Sequence, residues 1–268
     1  GKLDIEKIRE TGIKGITDIK GAQIENEADT LTVETLYGEK TVEYKDAMLS
    51  RCHVCKGKEH KIYDELIETI RDEKKICHYL DIPIQHASDR ILKRMGRRTS
   101  KQELIDIVGK LRKEIPDIVL RTTLITGFPG ETEEDHEELK EFVDEMEFDR
   151  LGVFTYSPEE NTPAAEMADQ VPEEVKEERR DELMELQQEI SYDRGQDRIG
   201  QELLVMIEGK VADESAYIGR TYGDAPKVDG YIFVQTGELL MTGDFAKVRV
   251  TGSLEYDLIG VLSDEYTE

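Results

Sequence analysis

The sequence has few cysteines, no tryptophan and no long hydrophobic run. Its three cysteines are too few for the disulfide framework of a small secreted domain. No apolar stretch approaches the roughly 20 residues that a membrane-spanning helix needs, and no signal peptide precedes the first charges. These absences argue against a secreted scaffold and against a membrane protein, and we expect a cytoplasmic protein.

Positive charge is outnumbered by negative charge. There are 61 acidic and 36 basic residues, which gives a formal net charge of -25. Such a field repels nucleic-acid phosphates and attracts a basic partner. Solubility, or a host whose proteins are generally acidic, explains the same composition. The charge therefore argues against nucleic acid as a direct ligand, and it is compatible with a basic protein partner.

The length of 268 residues suggests two or three domains. From Tyr63, helices alternate with short apolar strands. Helix starts are marked by a capping box at Ser100 and Glu103 and by a cap at Thr132. This alternation predicts a parallel sheet, either a barrel or a doubly wound sheet. The predicted strands are Tyr79–Ile84, Ile118–Ile125 and Leu151–Tyr156.

The remainder of the chain changes character at Pro172. Residues 172–198 predict a long charged helix with Leu183, Leu186 and Ile190 on one face, typical of a bridge between domains. Short strands with glycine turns follow and predict a small all-β barrel or sandwich of the OB type. The five predicted strands are Leu203–Ile207, Tyr217–Thr221, Gly230–Val234, Phe245–Thr251 and Asp257–Leu262.

Six strings in this region occur together in a known family. They are LDIPIQH (80–86), ILKRMGRRT (91–99), RTTLITGFPGET (121–132), FDRLGVFTYSPEE (148–160), LMELQQEI (183–190) and VDGYIF (228–233). In order and spacing, residues 63–262 resemble the C-terminal part of radical-SAM methylthiotransferases of the RimO type.

The resemblance implies a domain order and an activity. Residues 63–171 would form the C-terminal part of a TIM-type radical-SAM barrel, residues 172–198 a linker helix and residues 199–264 a TRAM domain. Family members use S-adenosylmethionine and a 4Fe-4S cluster to methylthiolate an aspartate of ribosomal protein S12, and their TRAM domain docks that basic protein. Residues 199–262 hold 10 acidic and 5 basic side chains, which suits such a partner. Relatives that modify transfer RNA would more naturally carry a basic surface there.

The cluster ligands of the family have no counterpart in this sequence. Three thiolates at the spacing C-x₃-C-x₂-C hold the family's cluster, because soft ligands are needed for iron–sulfur chemistry. This chain has only Cys52, Cys55 and Cys77, which do not form that motif. We therefore expect family descent, with catalysis by this chain incomplete.

By resemblance to the family, five residues are candidates for lining the cofactor site. By resemblance, Gly127 and Phe128 lie near the adenosine, with Gly130 in the same turn. Gln85 and Arg121, near strand ends, are candidates for polar contacts with the cofactor. The alternative is that Gly127 to Gly130 form only a tight turn and that Arg121 pairs with a carboxylate.

Several other side chains of residues 63–171 are candidates for the cavity or for the protein interior. His86 faces either the cavity or the protein interior, and the interior is the commoner place for a lone histidine. Tyr156 and Ser157 end a strand and are weak candidates for lining the cavity. We expect His136 to be solvated in an acidic helical turn, and Cys77 to be an ordinary buried thiol.

Residues 1–62 do not match the family. Residues 30–36 and 41–44 predict a hairpin, and the string CHVCKGKEH (52–60) resembles iron–sulfur oxidoreductases of the coenzyme F420 hydrogenase beta-subunit type. With His53 and His60 nearby, Cys52 and Cys55 are metal-ligand candidates; a redox dithiol or two unliganded thiols are the alternatives. We interpret the chain as a junction of two segments near Tyr63, either a genuine fusion or an assembly artefact.

The sequence is compatible with three functions. The first is a RimO-type enzyme by descent, with a relative of the transfer-RNA methylthiotransferases as its alternative. The second is a non-catalytic acidic module that binds a basic ribosomal protein. The third is an iron–sulfur electron carrier, which rests on Cys52 and Cys55 alone.

Overall fold

The computed structural model describes residues 30–35, 38–43, 59–212 and 214–264, with side chains from Asp64 onward. The chain divides into two compact units between Leu66 and Ile67. In the first unit, strand β1 (Thr30–Thr35) pairs antiparallel with β2 (Gly38–Glu43), and Thr35 lies opposite Gly38. The predicted hairpin is confirmed.

The second unit begins within helix α1 (Glu59–Asp72) and continues into a parallel sheet. Ile67 and Ile70 of α1 are buried, whereas Leu66, predicted on the same face, is exposed. The sheet has the strand order β3-β4-β5, all parallel, as the alternation predicts. Its strands are β3 (Tyr79–Gln85), β4 (Val119–Thr126) and β5 (Arg150–Thr155).

Helices pack against this sheet and build the core with it. They are α2 (Asp89–Arg94), α3 (Lys101–Glu114) and α4 (Glu133–Met146). Both predicted start signals are confirmed, since Ser100 forms a capping box with Glu103 and Thr132 forms one with Asp135. The core joins apolar positions of the sheet to the helical stripes, including Leu104, Val108, Leu111, Leu120, Leu124, Leu139, Phe142 and Val143.

Helix α5 (Glu173–Gln196) connects the sheet to the strands that follow it in the chain. A long helix was predicted here, over residues 172–198. Helix α5 packs against β5, α4 and β4, and further along against the strand Phe245–Ser253. Leu183 and Ile190 join the sheet's core. The same buried stripe also contains the polar residues Lys176, Arg179 and Gln187, which are unusual in a buried face and find partners there.

A closed five-stranded barrel follows α5, with the strand order β10-β8-β7-β6-β9. Alternating residues such as Val205, Ile207, Val248 and Val250 fill its interior. The predicted small β domain is confirmed, and closure leaves no free sheet edge in it. Its strands are β6 (Glu202–Lys210), β7 (Ala216–Arg220), β8 (Ile232–Gln235), β9 (Phe245–Ser253) and β10 (Leu258–Leu262).

Candidate functional site

Four of the five predicted cofactor residues meet at the carboxyl end of the parallel sheet. Gln85 is the last residue of β3, and Gly127, Phe128 and Gly130 follow β4, its hydrogen-bonded neighbour. Ligand sites of β/α folds lie at this end of the strands. Gln85 has a φ of 71°, which is rare outside glycine, and such strain recurs at functional positions.

Two glycines shape the turn after β4. Gly127 and Gly130 have φ values of 70° and 82°, in the left-handed region that glycine tolerates. A Cβ on Gly127 would overlap the side chain of Lys176, and one on Gly130 would lie 2.8 Å from Arg94 Cζ. Gly127 and Phe128 are buried. The close packing supports the tight-turn interpretation for the glycines themselves.

A buried carboxylate, Glu131, accepts hydrogen bonds from the backbone of this turn. Glu131 Oε2 accepts hydrogen bonds from the Gly127 amide at 2.8 Å and the Phe128 amide at 3.2 Å. Its Oε1 pairs with Arg179 Nη1 at 3.0 Å, and the Glu131 side chain has no solvent exposure. His86 Nε2 lies 3.5 Å from Oε2. We call Glu131, Arg179 and His86 the Glu131 clasp.

The tautomer of His86 follows from its surroundings. Its Nδ1 lies 3.0 Å from the Ala87 amide and 2.9 Å from the Ser88 amide, and both groups can only donate. Nδ1 is therefore the acceptor, and the proton resides on Nε2, facing Glu131. His86 is fully buried, so the interior interpretation is confirmed.

Helix α5 closes the site from the other side. Lys176 Nζ donates to the Tyr156 carbonyl at 2.9 Å and lies 5.5 Å from the centre of the Tyr156 ring. Tyr156 in turn meets Phe128 edge-on, with ring centroids 5.2 Å apart. Tyr156 thus belongs to the packing around the turn, whereas Ser157 is exposed.

Arg121 lies at the opposite end of the sheet. It is the third residue of β4, and Gly127 comes six residues later, so the two are separated by about 20 Å at a rise of roughly 3.3 Å per residue. Its guanidinium contacts Asp81 at 2.8 Å and Asp229 at 3.3 Å. The structure does not bring Arg121 together with the other four residues, and it favours the carboxylate-pair alternative.

Asp229 belongs to a loop of the small barrel that we call the latch loop (residues 221–229). It also accepts a hydrogen bond from the Tyr79 hydroxyl at 2.9 Å. Asp224 of the same loop pairs with Arg150, and the side chains of both are largely buried. Burial alone would lower the pKa of Arg150, but Asp224 outweighs it and raises that pKa. The latch loop thus contacts the amino-terminal parts of all three strands.

Two further predictions were wrong. His136 is buried rather than solvated, because α5 packs over α4 and its Glu182 meets His136 Nε2 at 3.0 Å. Cys77 is exposed rather than buried, because it lies in the connection that precedes β3.

The metal-ligand candidates Cys52 and Cys55 lie outside the described residues. Within the described part of the chain, no group of three or more His, Cys, Asp or Glu side chains is arranged to hold a metal ion. No helix among those residues is long and apolar enough to cross a membrane.

Asp135 at the start of α4 makes stability depend on pH. Burial would raise its pKa, but hydrogen bonds from Arg90, Ser88 and Thr132 outweigh burial and lower it. The stabilisation is therefore present above about pH 4, the pKa of an unfolded aspartate, and is lost as the pH falls below it. We expect Asp135→Asn to remove much of the acid sensitivity, measured as urea midpoints at neutral and acid pH. Asp144→Asn, an exposed change in the same helix, should leave it intact.

Comparison with known proteins agrees with this architecture. A Radical SAM superfamily model matches residues 34–143, and a TRAM domain model matches residues 199–262. The two matches therefore assign the parallel sheet and the closed barrel to a radical-SAM protein with a TRAM domain. The first match begins before Tyr63, and the domain boundary predicted there stays a prediction.

Curated relatives narrow the class. A protein of Lachnoclostridium phytofermentans named ribosomal protein uS12 methylthiotransferase RimO is 64% identical over 200 residues, 75% of this chain and 46% of that protein. Proteins of the same name are 56% identical in Pelotomaculum thermopropionicum (74% of this chain, 45% of that protein) and 52% identical in Clostridium botulinum strain Langeland (78% and 46%). The chain belongs to the RimO-type methylthiotransferase family.

The chain spans about half the length of these curated relatives. A solved structure, coproporphyrinogen III oxidase of Escherichia coli, described as a radical SAM enzyme, matches with a TM-score of 0.42. Its identity is 15% over 69% of this chain and 43% of that one. A likeness at this level supports no conclusion.

Sequence reasoning missed the residues that hold the turn. Glu131, Lys176 and Arg179 were not singled out, although Glu131 directly follows the predicted turn. A signal was present in α5, where Lys176, Arg179 and Leu183 share one stripe at helical spacing. Charged residues within a buried stripe indicate a buried partner.

Proposed function

We propose that the chain contributes to the function of its RimO relatives, methylthiolation of an aspartate in ribosomal protein uS12 with S-adenosylmethionine, by supplying the nucleoside site and the domain that docks uS12. One observation carries the proposal. A single compact unit combines the strained, glycine-shaped carboxyl end of a radical-SAM sheet with a latched TRAM barrel. The relatives' shared name supplies the substrate.

The two ends of the sheet would then have separate tasks. Gln85 and the Gly127–Gly130 turn would border the nucleoside of S-adenosylmethionine. The TRAM barrel would hold a part of uS12 remote from the reacting aspartate, since the latch loop fixes it at the amino end, about 20 Å away by strand rise. A protein substrate is large enough to span that distance.

The cluster of the family does not fit the residues of this chain. Three thiolates at the family spacing are missing from the sequence, and Cys77 is a single exposed thiol. A 4Fe-4S cluster supplies the electron that cleaves S-adenosylmethionine. We assign no step of that chemistry to residues of this chain. Its proposed contribution is to bind the nucleoside of S-adenosylmethionine and to dock the protein substrate.

Charge supports a basic protein as the partner. The acidic excess of residues 199–262 attracts a basic protein and repels transfer RNA. Binding of recombinant uS12 by calorimetry tests the docking role, and mass spectrometry of uS12 after anaerobic incubation with iron, sulfide, reductant and S-adenosylmethionine tests catalysis. A methylthiolated aspartate would establish the enzyme. Absence of both binding and modification would refute the proposal.

A second candidate is a docking module without catalysis. The three-cysteine sequence favours it, because a chain without cluster ligands retains only its binding surfaces. Iron and sulfide per chain after reconstitution separate the two. A stable cluster whose spectrum responds to S-adenosylmethionine favours the enzyme. An iron-free chain that still binds uS12 favours the module.

A further inference from the structure

Glu131 connects three elements that surround the carboxyl end of the sheet. Its Oε2 holds the Gly127 and Phe128 amides that follow β4. The same oxygen faces His86, the residue after Gln85 at the end of β3. Its Oε1 receives Arg179 from α5. One side chain thus ties the turn after β4 to the linker helix. It also lies beside His86, whose Nε2 has no hydrogen-bond partner among the described residues.

Arg179 of the Glu131 clasp pairs with two carboxylates, which differ in their contact with the turn. A fully buried carboxylate is costly unless it is paired and hydrogen-bonded, and Glu131 satisfies both conditions through Arg179 and the two amides. Arg179 has a second partner, Glu133, at 3.0 Å. Glu133 is largely exposed and touches neither strand end. The structure therefore contains two carboxylates on one arginine, of which only Glu131 reaches the turn.

We infer that Glu131, held by Arg179, is a positioning residue that sets the Gly127–Phe128 turn for the nucleoside of S-adenosylmethionine. The inference rests on the proposed function, which places the nucleoside at this end of the sheet. The Glu131 side chain has no exposed atoms for a ligand, so it acts through the Gly127 and Phe128 amides that it holds. It also makes α5 a structural part of the cofactor site and not merely a tether for the TRAM barrel.

The substitution Glu131→Gln separates these roles. A carboxylate can accept from the turn on one oxygen and from Arg179 on the other, whereas an amide offers one acceptor oxygen and one donating NH₂. The new amide cannot serve both the turn and Arg179. Combining Glu131→Gln with Arg179→Gln removes the conflict, since the second amide can accept from the first. Glu133→Gln is the matched control, because it removes the negative charge of the other partner of Arg179.

The test measures S-adenosylmethionine binding to the full chain by NMR titration, together with hydrogen exchange of the Gly127 and Phe128 amides. Glu131→Gln should weaken binding at least about tenfold and speed exchange at those two amides, while Glu133→Gln stays within about twofold of the parent chain. The double substitution should recover most of the loss. Thermal melts identify the temperatures at which every variant is folded, and binding is compared there.

Two outcomes overturn the inference in different ways. If the parent chain and Glu131→Gln bind S-adenosylmethionine equally, Glu131 does not position the site, and the proposed function stands. If the parent chain does not bind S-adenosylmethionine, the assignment of the nucleoside to this end fails, and the inference fails with it. Should Glu131→Gln not fold, the double variant decides: weak binding by a folded double variant contradicts the recovery expected.

Discussion

Replacing Gly127 by alanine is expected to lower the free energy of unfolding by about 2–4 kcal/mol. The left-handed backbone at Gly127, with φ of 70°, costs an alanine roughly 1–2 kcal/mol. The added Cβ would also overlap the Lys176 side chain, which is buried and cannot move freely. Urea unfolding of the purified chain measures the change.

Gly96→Ala is the matched control for this prediction. Gly96 has φ of 75°, and a Cβ there would meet no heavy atom within 4 Å. It should therefore show the backbone cost alone. In a double-mutant cycle, Lys176→Ala should offset part of the Gly127→Ala loss, with a coupling of about 1 kcal/mol or more. Equal losses for Gly96→Ala and Gly127→Ala would show that α5 does not confine the turn.

Replacing Asp224 by asparagine is expected to cost about 3 kcal/mol, because it removes the charge that pairs directly with the buried guanidinium of Arg150 and leaves only the charges of Asp229 and Asp149 nearby. Asp224 also accepts from the Thr221 hydroxyl at 2.6 Å, so the latch loop loses internal order as well. The TRAM barrel should then separate from the sheet before either part unfolds. Limited proteolysis should cut between α5 and β6 faster than in the parent chain.

Glu202→Gln is the control on the same barrel. Glu202 pairs at 3.1 Å with Lys247, whose side chain is 72% exposed, and exposed pairs contribute less than about 1 kcal/mol. This variant should keep the parent chain's proteolysis rate. If Asp224→Asn and Glu202→Gln behave alike, the latch loop does not clamp the barrel.

Local rules predicted the secondary structure of the second unit well. The capping box at Ser100, the cap at Thr132 and the apolar stripe of α3 are local signals, and the structure has them as expected. The reciprocal bond from Thr132 to Asp135, which completes a second capping box, was not predicted. Short strands with glycine turns in residues 203–262 likewise predicted a small barrel or sandwich, and the structure has the closed barrel.

Partners distant in sequence were beyond such rules. Glu131 and Arg179 are 48 residues apart, and Arg121 and Asp229 are 108 apart. Neither pairing has a local pattern. His136 was misjudged for the same reason, since its acidic neighbours in sequence suggested solvent while α5 covers it in space. The site was therefore predicted as strand ends, without the side chains that hold them.

The two ends of the sheet are proposed to have separate ligands. Hydrogen–deuterium exchange of the full chain, recorded alone, with S-adenosylmethionine and with uS12, tests this proposal most directly. We predict that S-adenosylmethionine slows exchange in residues 125–131 and that uS12 slows exchange in residues 199–262. Protection by S-adenosylmethionine within the TRAM barrel, or no protection by either ligand, would contradict it.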